Sequence, residues 1–223
     1  MRLNKFLARA TGKSRREADV LISQNRVKIG GEIAKIGATI DEARDEIFLD
    51  DRKIVLPRTR TLIMLNKPAG YVSSRRAQNR DAKTLYELLP REFQSLKTVG
   101  RLDKDSSGLI LLTDDGDLAF QMTHPKFAKT KIYEVRLDRA LAPLHQQMIA
   151  DFGVDLADGK SQFFLEKLDE SRKSWRVTMR EGRNRQIRRT FASLGYAVLR
   201  LHRTDFGAYS LGDLPRGQWR EVE

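Results

Sequence analysis

In the segment VGRLDKDSSGLILLTDDG, Val99 to Gly116, Asp103 stands between Arg101 and Lys104, with Asp105 two positions on and the apolar run Leu109–Leu112 close behind. Flanking cations favour the charged form of a carboxylate, so Asp103 is expected to be ionised and poised at the rim of a core. A lone carboxylate in that setting can attack or stabilise a sugar carbon as its base departs. Asp103 and Asp105 could instead form an acid–base pair for glycoside cleavage, since alternate residues of a strand share a side. A turn at Ser106-Ser107-Gly108 would break that alignment, and the choice stays open at this point. A purely structural Asp103 would pair with Arg101 or cap the following turn. Tyr133, in KTKIYEV, is a candidate floor beneath a base taken out of its stack, and equally a strand aromatic packed into a core.

Other catalytic kits lack their residues. The chain has no cysteine, which removes disulfides and thiolate metal sites, and His124, His145 and His202 are scattered. There is no G-x-x-x-x-G-K-[ST] loop, no G-x-G-x-x-G turn and no G-x-S-x-G elbow. No cofactor and no metal are expected.

Among 223 residues, 42 Lys and Arg face 30 Asp and Glu, a formal charge of +12, which points to a polyanionic partner and first of all to nucleic acid. The absence of a signal-like or membrane-spanning apolar segment places the chain in the cytoplasm as an expectation.

The elements that must position the carboxylate follow from periodicity. Leu3, Phe6, Leu7 and Ala10 recur at helical spacing; Ser14 and Glu17 form a capping box before a second helix carrying Ala18, Leu21 and Ile22. VKIGGEIAKIG reads as a hairpin turning at Gly30-Gly31. This N-terminal module is basic, and Arg2, Lys5, Arg9, Arg15, Arg16, Arg26 and Lys28 are its candidate RNA contacts. DDRKIVLPRTR reads as a linker interrupted by Pro57. Beyond it come a strand in TLIMLNKPAGY, a helix near Thr84–Leu89, the strand after Asp103, and a short helix stopped near Pro125. KIYEVRL, SQFFLEKL and SWRVTMR read as strands, Pro143–Phe152 as a helix capped by Gly153, Arg185–Leu194 as a helix ended by Gly195, and YAVLRLH as a closing strand. The intermixing without regular βαβ repetition indicates an α+β fold rather than a doubly wound one.

Arg172–Arg203 carries ten cations and one acid, Glu181. Arginine's planar fork suits phosphate and its plane stacks on bases, so two basic regions suggest a folded nucleic acid held at two places.

These residues carry a family resemblance. GRLDKDSSGLILLTDDGDLA closely resembles the catalytic motif of the RsuA-like ribosomal RNA pseudouridine synthases. LNKPAGYVSS resembles that family's first motif, KIYEV its tyrosine motif, and EGRNRQIRR with LHRTDFG its C-terminal motifs. The first 31 residues resemble the small RNA-binding domain named after ribosomal protein S-four.

The resemblance implies an S-four-like module of two helices and a hairpin at 1–52, a linker at 53–60 and, at 61–223, a synthase domain built on a mixed, mainly antiparallel sheet. Asp103 matches the aspartate that initiates cleavage of the uridine C1′–N1 bond, and Tyr133 the tyrosine beneath the flipped uracil, implicated in proton abstraction. Arg188 matches the basic residue paired with that aspartate, and Ile187 the apolar residue beside the base; Asp105 is then supporting. Arg101, Lys67, Arg183 and Arg185 are the further expected substrate contacts. The implied activity is isomerisation of uridine to pseudouridine in ribosomal RNA or an assembly intermediate, by a monomer. EGRNRQIRR leans toward the large-subunit members. The competing readings are a non-catalytic ribosome-assembly binder and an RNA glycosidase using both Asp103 and Asp105.

Overall fold

A computed structural model describes residues 1–57, 59–75 and 82–222; Arg58 of the expected linker, and residues 76–81 and 223 of the expected synthase domain, lie outside the described residues. The chain divides into two compact units, Met1–Thr61 with Asp114–Gly116, and Leu62–Thr113 with Asp117–Glu223.

In the first unit, helices α1 (Leu3–Thr11) and α2 (Arg15–Ser23) precede strands β1 (Val27–Ile29), β2 (Glu32–Ile33), β3 (Ile47–Leu49) and β4 (Arg52–Ile54). The capping box forms as the sequence indicates: Glu17 N donates to Ser14 Oγ at 3.2 Å and Ser14 N to Glu17 Oε2 at 2.7 Å. Leu3, Phe6, Leu7, Ala18, Leu21 and Ile22 pack with Val27 and Ile47 into one core. The sheet runs β2-β1-β3-β4. The expected linker therefore begins inside a strand, with Lys53 and Ile54 paired to Phe48 and Ile47. Asp50 and Asp51 make the hairpin turn before it, both at positive φ (49° and 61°), a conformation aspartate tolerates better than most residues.

The second unit is built on β5 (Leu62–Lys67), β6 (Lys97–Val99), β7 (Ser107–Thr113), α3 (Gly116–Thr123), β8 (Lys131–Leu137), α4 (Pro143–Gln147), β9 (Val154–Leu156), β10 (Gly159–Ser161), β11 (Phe164–Lys167), β12 (Ser174–Met179), α5 (Gln186–Ser193), β13 (Val198–Phe206), β14 (Tyr209–Ser210) and β15 (Trp219–Glu221). Its main sheet runs β11-β12-β8-β13-β7-β5-β15, with β6 beside β7 and β14 beside β13. Among the described strands of this sheet, every pairing is antiparallel except β7 with β13. The central strands are apolar on both faces: Ile63, Leu65, Ile110 and Leu112 join one core, while Met64, Leu109 and Leu111 join the other. Strand alternation divides them this way.

Several elements differ from expectation. Thr84–Leu89 holds only a 3-10 turn, Leu85–Leu88, because the Thr84–Glu87 box opens it and Pro90 follows at once. The expected helix Pro143–Phe152 is α4 followed by a π turn, Met148–Phe152. SQFFLEKL divides into the end of β10 and all of β11. The closing strand runs on to Phe206, four residues past His202, because β8 on one side and β14 on the other pair with Asp205 and Phe206.

Candidate active site

Asp103 lies in the loop between β6 and β7, and that loop is pinned from several directions. Ser73 Oγ donates to the Leu102 carbonyl at 2.7 Å and accepts from Leu102 N at 3.1 Å, so one buried hydroxyl satisfies both backbone groups of the preceding residue. Gly70 N donates to the Lys104 carbonyl at 2.6 Å and Ser106 N to that of Asp103 at 3.1 Å. Gly108 then enters the sheet opposite Arg203 at φ +104°. A Cβ there would lie 2.2 Å from the Arg203 carbonyl oxygen, so only glycine fits.

The Asp103 side chain is 32% exposed, with Arg185 Nη1 3.6 Å from its Oδ2. The same guanidinium grips Asp105, Nη1 to Oδ1 at 3.1 Å and Nη2 to Oδ2 at 2.9 Å. Arg185 sits at φ 47° just before α5, a kink that turns it back toward the loop. Burial raises the Asp105 pKa, but the Arg185 hydrogen bonds and the charges of Arg188 and Arg185 outweigh it and hold the group below its ordinary value.

Two expectations about the cations are corrected here. Arg101 and Lys104 are exposed and make no ion pair with Asp103 among the described residues; the positive charge comes from Arg185, just before α5 and far along the chain. Arg188 does not pair with Asp103. Its Nε lies 3.3 Å from Asp105 Oδ2 without hydrogen-bond alignment, its Nη2 donates to the Asp105 carbonyl at 2.9 Å, and its Nη1 to that of Val198 at 2.7 Å. One turn into α5 and mostly buried, Arg188 ties the loop to β13.

Lys67 is also corrected as a substrate contact, and Arg183 is engaged by the protein itself. Lys67 is fully buried at the end of β5, its ammonium donating to the carbonyls of Tyr71 (2.8 Å) and Pro68 (3.1 Å), with no surface for a ligand. Burial brings its pKa down to about 8, against the opposing pull of Asp103 and Asp105. The Arg183 Nη atoms donate to the carbonyls of Asp158, Gly159 and Lys160 at 2.8–2.9 Å and to Asp158 Oδ1 at 3.1 Å. That fork holds the β9–β10 turn, and Arg183 also lines the cavity that holds Asp103.

Asp103, Tyr133, Ile187, Arg101 and Arg185 line one cavity of about 450 Å³, within the range of small-molecule sites. Tyr133, only 8% exposed on β8, belongs to the core and also walls the cavity.

Sequence reading missed Arg203, Lys131 and Ser73 as parts of this site. Arg203 is 2% exposed, donates Nε to the Leu109 carbonyl at 2.7 Å, and lies over Phe206 at 4.8 Å. Burial, then the nearby Arg203, lowers the pKa of Lys131 beside the same cavity. A charged strand residue reads as solvent-facing, and only the fold turns these inward. Among the described residues no three His, Asp or Glu side chains gather to hold a metal ion.

The sequence profile of the RNA pseudouridylate synthase family matches residues 61–193, and that of the S4 domain matches residues 1–47. An uncharacterized RNA pseudouridine synthase of Aquifex aeolicus is 35% identical across all of this chain and 92% of its own length. Ribosomal small subunit pseudouridine synthase A of Pasteurella multocida is 37% identical across all of this chain and 96% of its own. Ribosomal large subunit pseudouridine synthase B of the same organism is 39% identical across all of this chain and 67% of its own. A crystal structure of a pseudouridylate synthase superposes with a TM-score of 0.70 at 36% identity, covering all of this chain and 96% of that one.

Proposed function

The chain belongs to the RNA pseudouridylate synthase family, and we propose that it isomerises a specific uridine of ribosomal RNA. The observation that carries this reading is that Asp103 shares one cavity with Tyr133 and Ile187, its carboxylate reachable beside Arg185.

The uridine is everted from its RNA into that cavity, as base chemistry inside a folded nucleic acid requires. Asp103 engages the sugar as the C1′–N1 bond breaks, and the uracil leaves with the bonding electrons. It rotates against Tyr133 and Ile187, C5 bonds to C1′, the C5 proton is removed with Tyr133 implicated, and N1 takes a proton. Atoms and charge balance with no redox partner. The apolar walls keep water from the sugar carbon, which would otherwise turn isomerisation into hydrolysis. Arg185 and Arg188 engage both oxygens of Asp105, which makes Asp105 a positioning residue and Asp103 the single reacting carboxylate.

Residues 1–52 grip the RNA and 61–223 perform the chemistry, in the cytoplasm, as a monomer. The substrate is proposed to be large-subunit RNA, on the wording of Glu181–Arg189 alone. The test is tritium release from C5-labelled transcripts of each ribosomal RNA. Release without free uracil supports isomerisation, free uracil supports glycoside cleavage, and binding without either supports an assembly factor.

A further inference from the structure

Three rings cluster where α3 ends. Phe120 lies 4.6 Å from His124 and 5.8 Å, edge-on, from Phe127, and Lys126 Nζ stands 5.0 Å over the Phe127 ring. Phe120 is 49% exposed and rests against the other rings at the surface. A single exposed phenylalanine is ordinary, whereas a half-exposed ring cluster edged with lysines is a patch that calls for an occupant.

The occupant follows from position and charge. His124, with Thr123, Pro125, Lys129 and Lys131, lines the cavity that holds Asp103. Any polymer whose residue enters the cavity on this side therefore crosses the ring cluster. From Thr123 to Tyr133 there are three lysines and no acid, and Asp117, the acid of α3, lies in its first turn, away from His124. His124 Nδ1 accepts a hydrogen bond from Lys126 N at 3.2 Å, which fixes its ring in place. A fixed aromatic surface beside cations matches a nucleotide, whose base offers a flat face and whose phosphate offers charge.

We propose that Phe120, backed by His124 and Phe127, is a stacking platform for a base flanking the everted uridine, with Lys126 and Lys129 on its phosphate. The proposal rests on the reading that a uridine enters the cavity beside Asp103. Everting one nucleotide exposes the faces of its neighbours, and a ring at the rim replaces a lost stacking partner in a sequence-tolerant way.

The test separates binding from turnover. A short uridine-rich single-stranded RNA carrying one 2-aminopurine reports stacking through quenching of its emission. Phe120→Ala is expected to weaken its binding about 5- to 50-fold and to relieve the quenching. Phe120→Trp stays within about threefold of the parent, and Phe120→Leu follows the alanine variant, because stacking needs a ring and not merely apolar area. Melting midpoints are taken alongside; if the alanine variant melts early, the Leu and Trp variants decide. Alanine binding like the parent, or leucine rescuing as fully as tryptophan, overturns the platform. Quenching that depends on Phe120 in a parent that forms no pseudouridine supports the stacking surface and overturns the function proposed above. Pseudouridine formation by the parent with no effect of Phe120→Ala overturns the platform alone.

Discussion

Arg185 holds Asp105 through both Nη atoms, at 2.9 and 3.1 Å, and stands 3.6 Å from Asp103 with the same guanidinium. The two carboxylates are therefore unlike: one is clamped by two arginines, and the other is left open to the cavity. Asp103→Asn keeps the shape and removes the charge. It is expected to abolish measurable pseudouridine formation while RNA affinity, read by filter binding, stays within a few fold. Turnover near the parental rate would take Asp103 out of the chemistry.

Asp105→Asn tests the clamp. Arg185 and Arg188 lose their shared counter-charge and the two-oxygen grip of Arg185 is weakened, so the loop that carries Asp103 is held less firmly. The Arg188 bonds to the Asp105 and Val198 carbonyls remain. Displacement of about 1 Å at a reacting group costs about 100-fold in rate, and a loss of that order in kcat is expected. The pH dependence has a defined sign: the folded-state pKa of Asp105 is depressed, so its contribution to stability is present above the ordinary carboxylate value and is lost as acid protonates the folded form. The variant's stability should vary less than the parent's at acid pH in urea titrations.

What the sequence made legible, and what it did not, divides along physical lines. The Ser14–Glu17 box and the α1 stripe depend on residues a few positions apart, and both formed as read. Asp103 and Tyr133 stand out in the sequence because they fall in motifs that resemble the family's, and the structure brings both to one cavity. Arg183 and Arg188 were not legible in their roles, because a guanidinium's partner is a tertiary fact: one is held by the carbonyls of a turn about 24 residues upstream, the other by a loop more than 80 residues away. Lys67 looks like any cation in a turn, and only the sheet around it buries it. Asp51–Arg60 reads as linker because Pro57 interrupts it and polar residues surround it, and only the pairing with β3 makes Arg52–Ile54 a strand.

Gly108→Ala combines a backbone clash with a positive φ. The added Cβ meets the Arg203 carbonyl oxygen at 2.2 Å and its nitrogen at 2.6 Å, in the parallel pair that carries the loop into the sheet. A loss of more than about 3 kcal/mol, or failure to accumulate as folded protein, is expected. Gly12→Ala is the control: its φ is +70° but nothing lies within 4 Å of the new Cβ, so a loss of about 1 kcal/mol is expected in the same urea titration. Equal midpoint shifts would mean that the close approach of β7 and β13 contributes nothing.

Lys67 offers a pH signature of its own. Its folded pKa is about 8 against an ordinary value of 10.5, with burial as the cause. Between those values the unfolded chain holds the proton and the folded chain has released it, so this group raises stability as pH rises across that window. Lys67→Met keeps the length and removes the titration. The expected result is a stability–pH slope from pH 8 to 10 that is less positive in the variant, measured by denaturant midpoints. Superimposable slopes would show that the buried ammonium does not titrate there.

The seven N-terminal cations are not equivalent. Arg26 donates to both oxygens of Asp50, at 2.8 and 2.5 Å, and Lys28 Nζ lies 2.7 Å from Asp51. Arg2 is committed to the Gly37 carbonyl, and Arg15 Nε donates to Asn4 Oδ1 at 3.2 Å. Arg16 is exposed and Arg9 half-buried, and neither is ion-paired among the described residues. An arginine already neutralised by a carboxylate gains less from a phosphate, because it must first give up its partner. Replacing Arg9 and Arg16 together by Gln is therefore expected to weaken RNA binding and to lower the slope of log affinity against log salt by about 1 for each phosphate no longer neutralised. Replacing Arg26 and Lys28 by Gln is expected to change that slope by less than half as much, with midpoints confirming that both variants fold. Equal effects of the two pairs would place the whole basic surface, paired or not, against the RNA, and a slope untouched by either would move the RNA-binding surface away from this module.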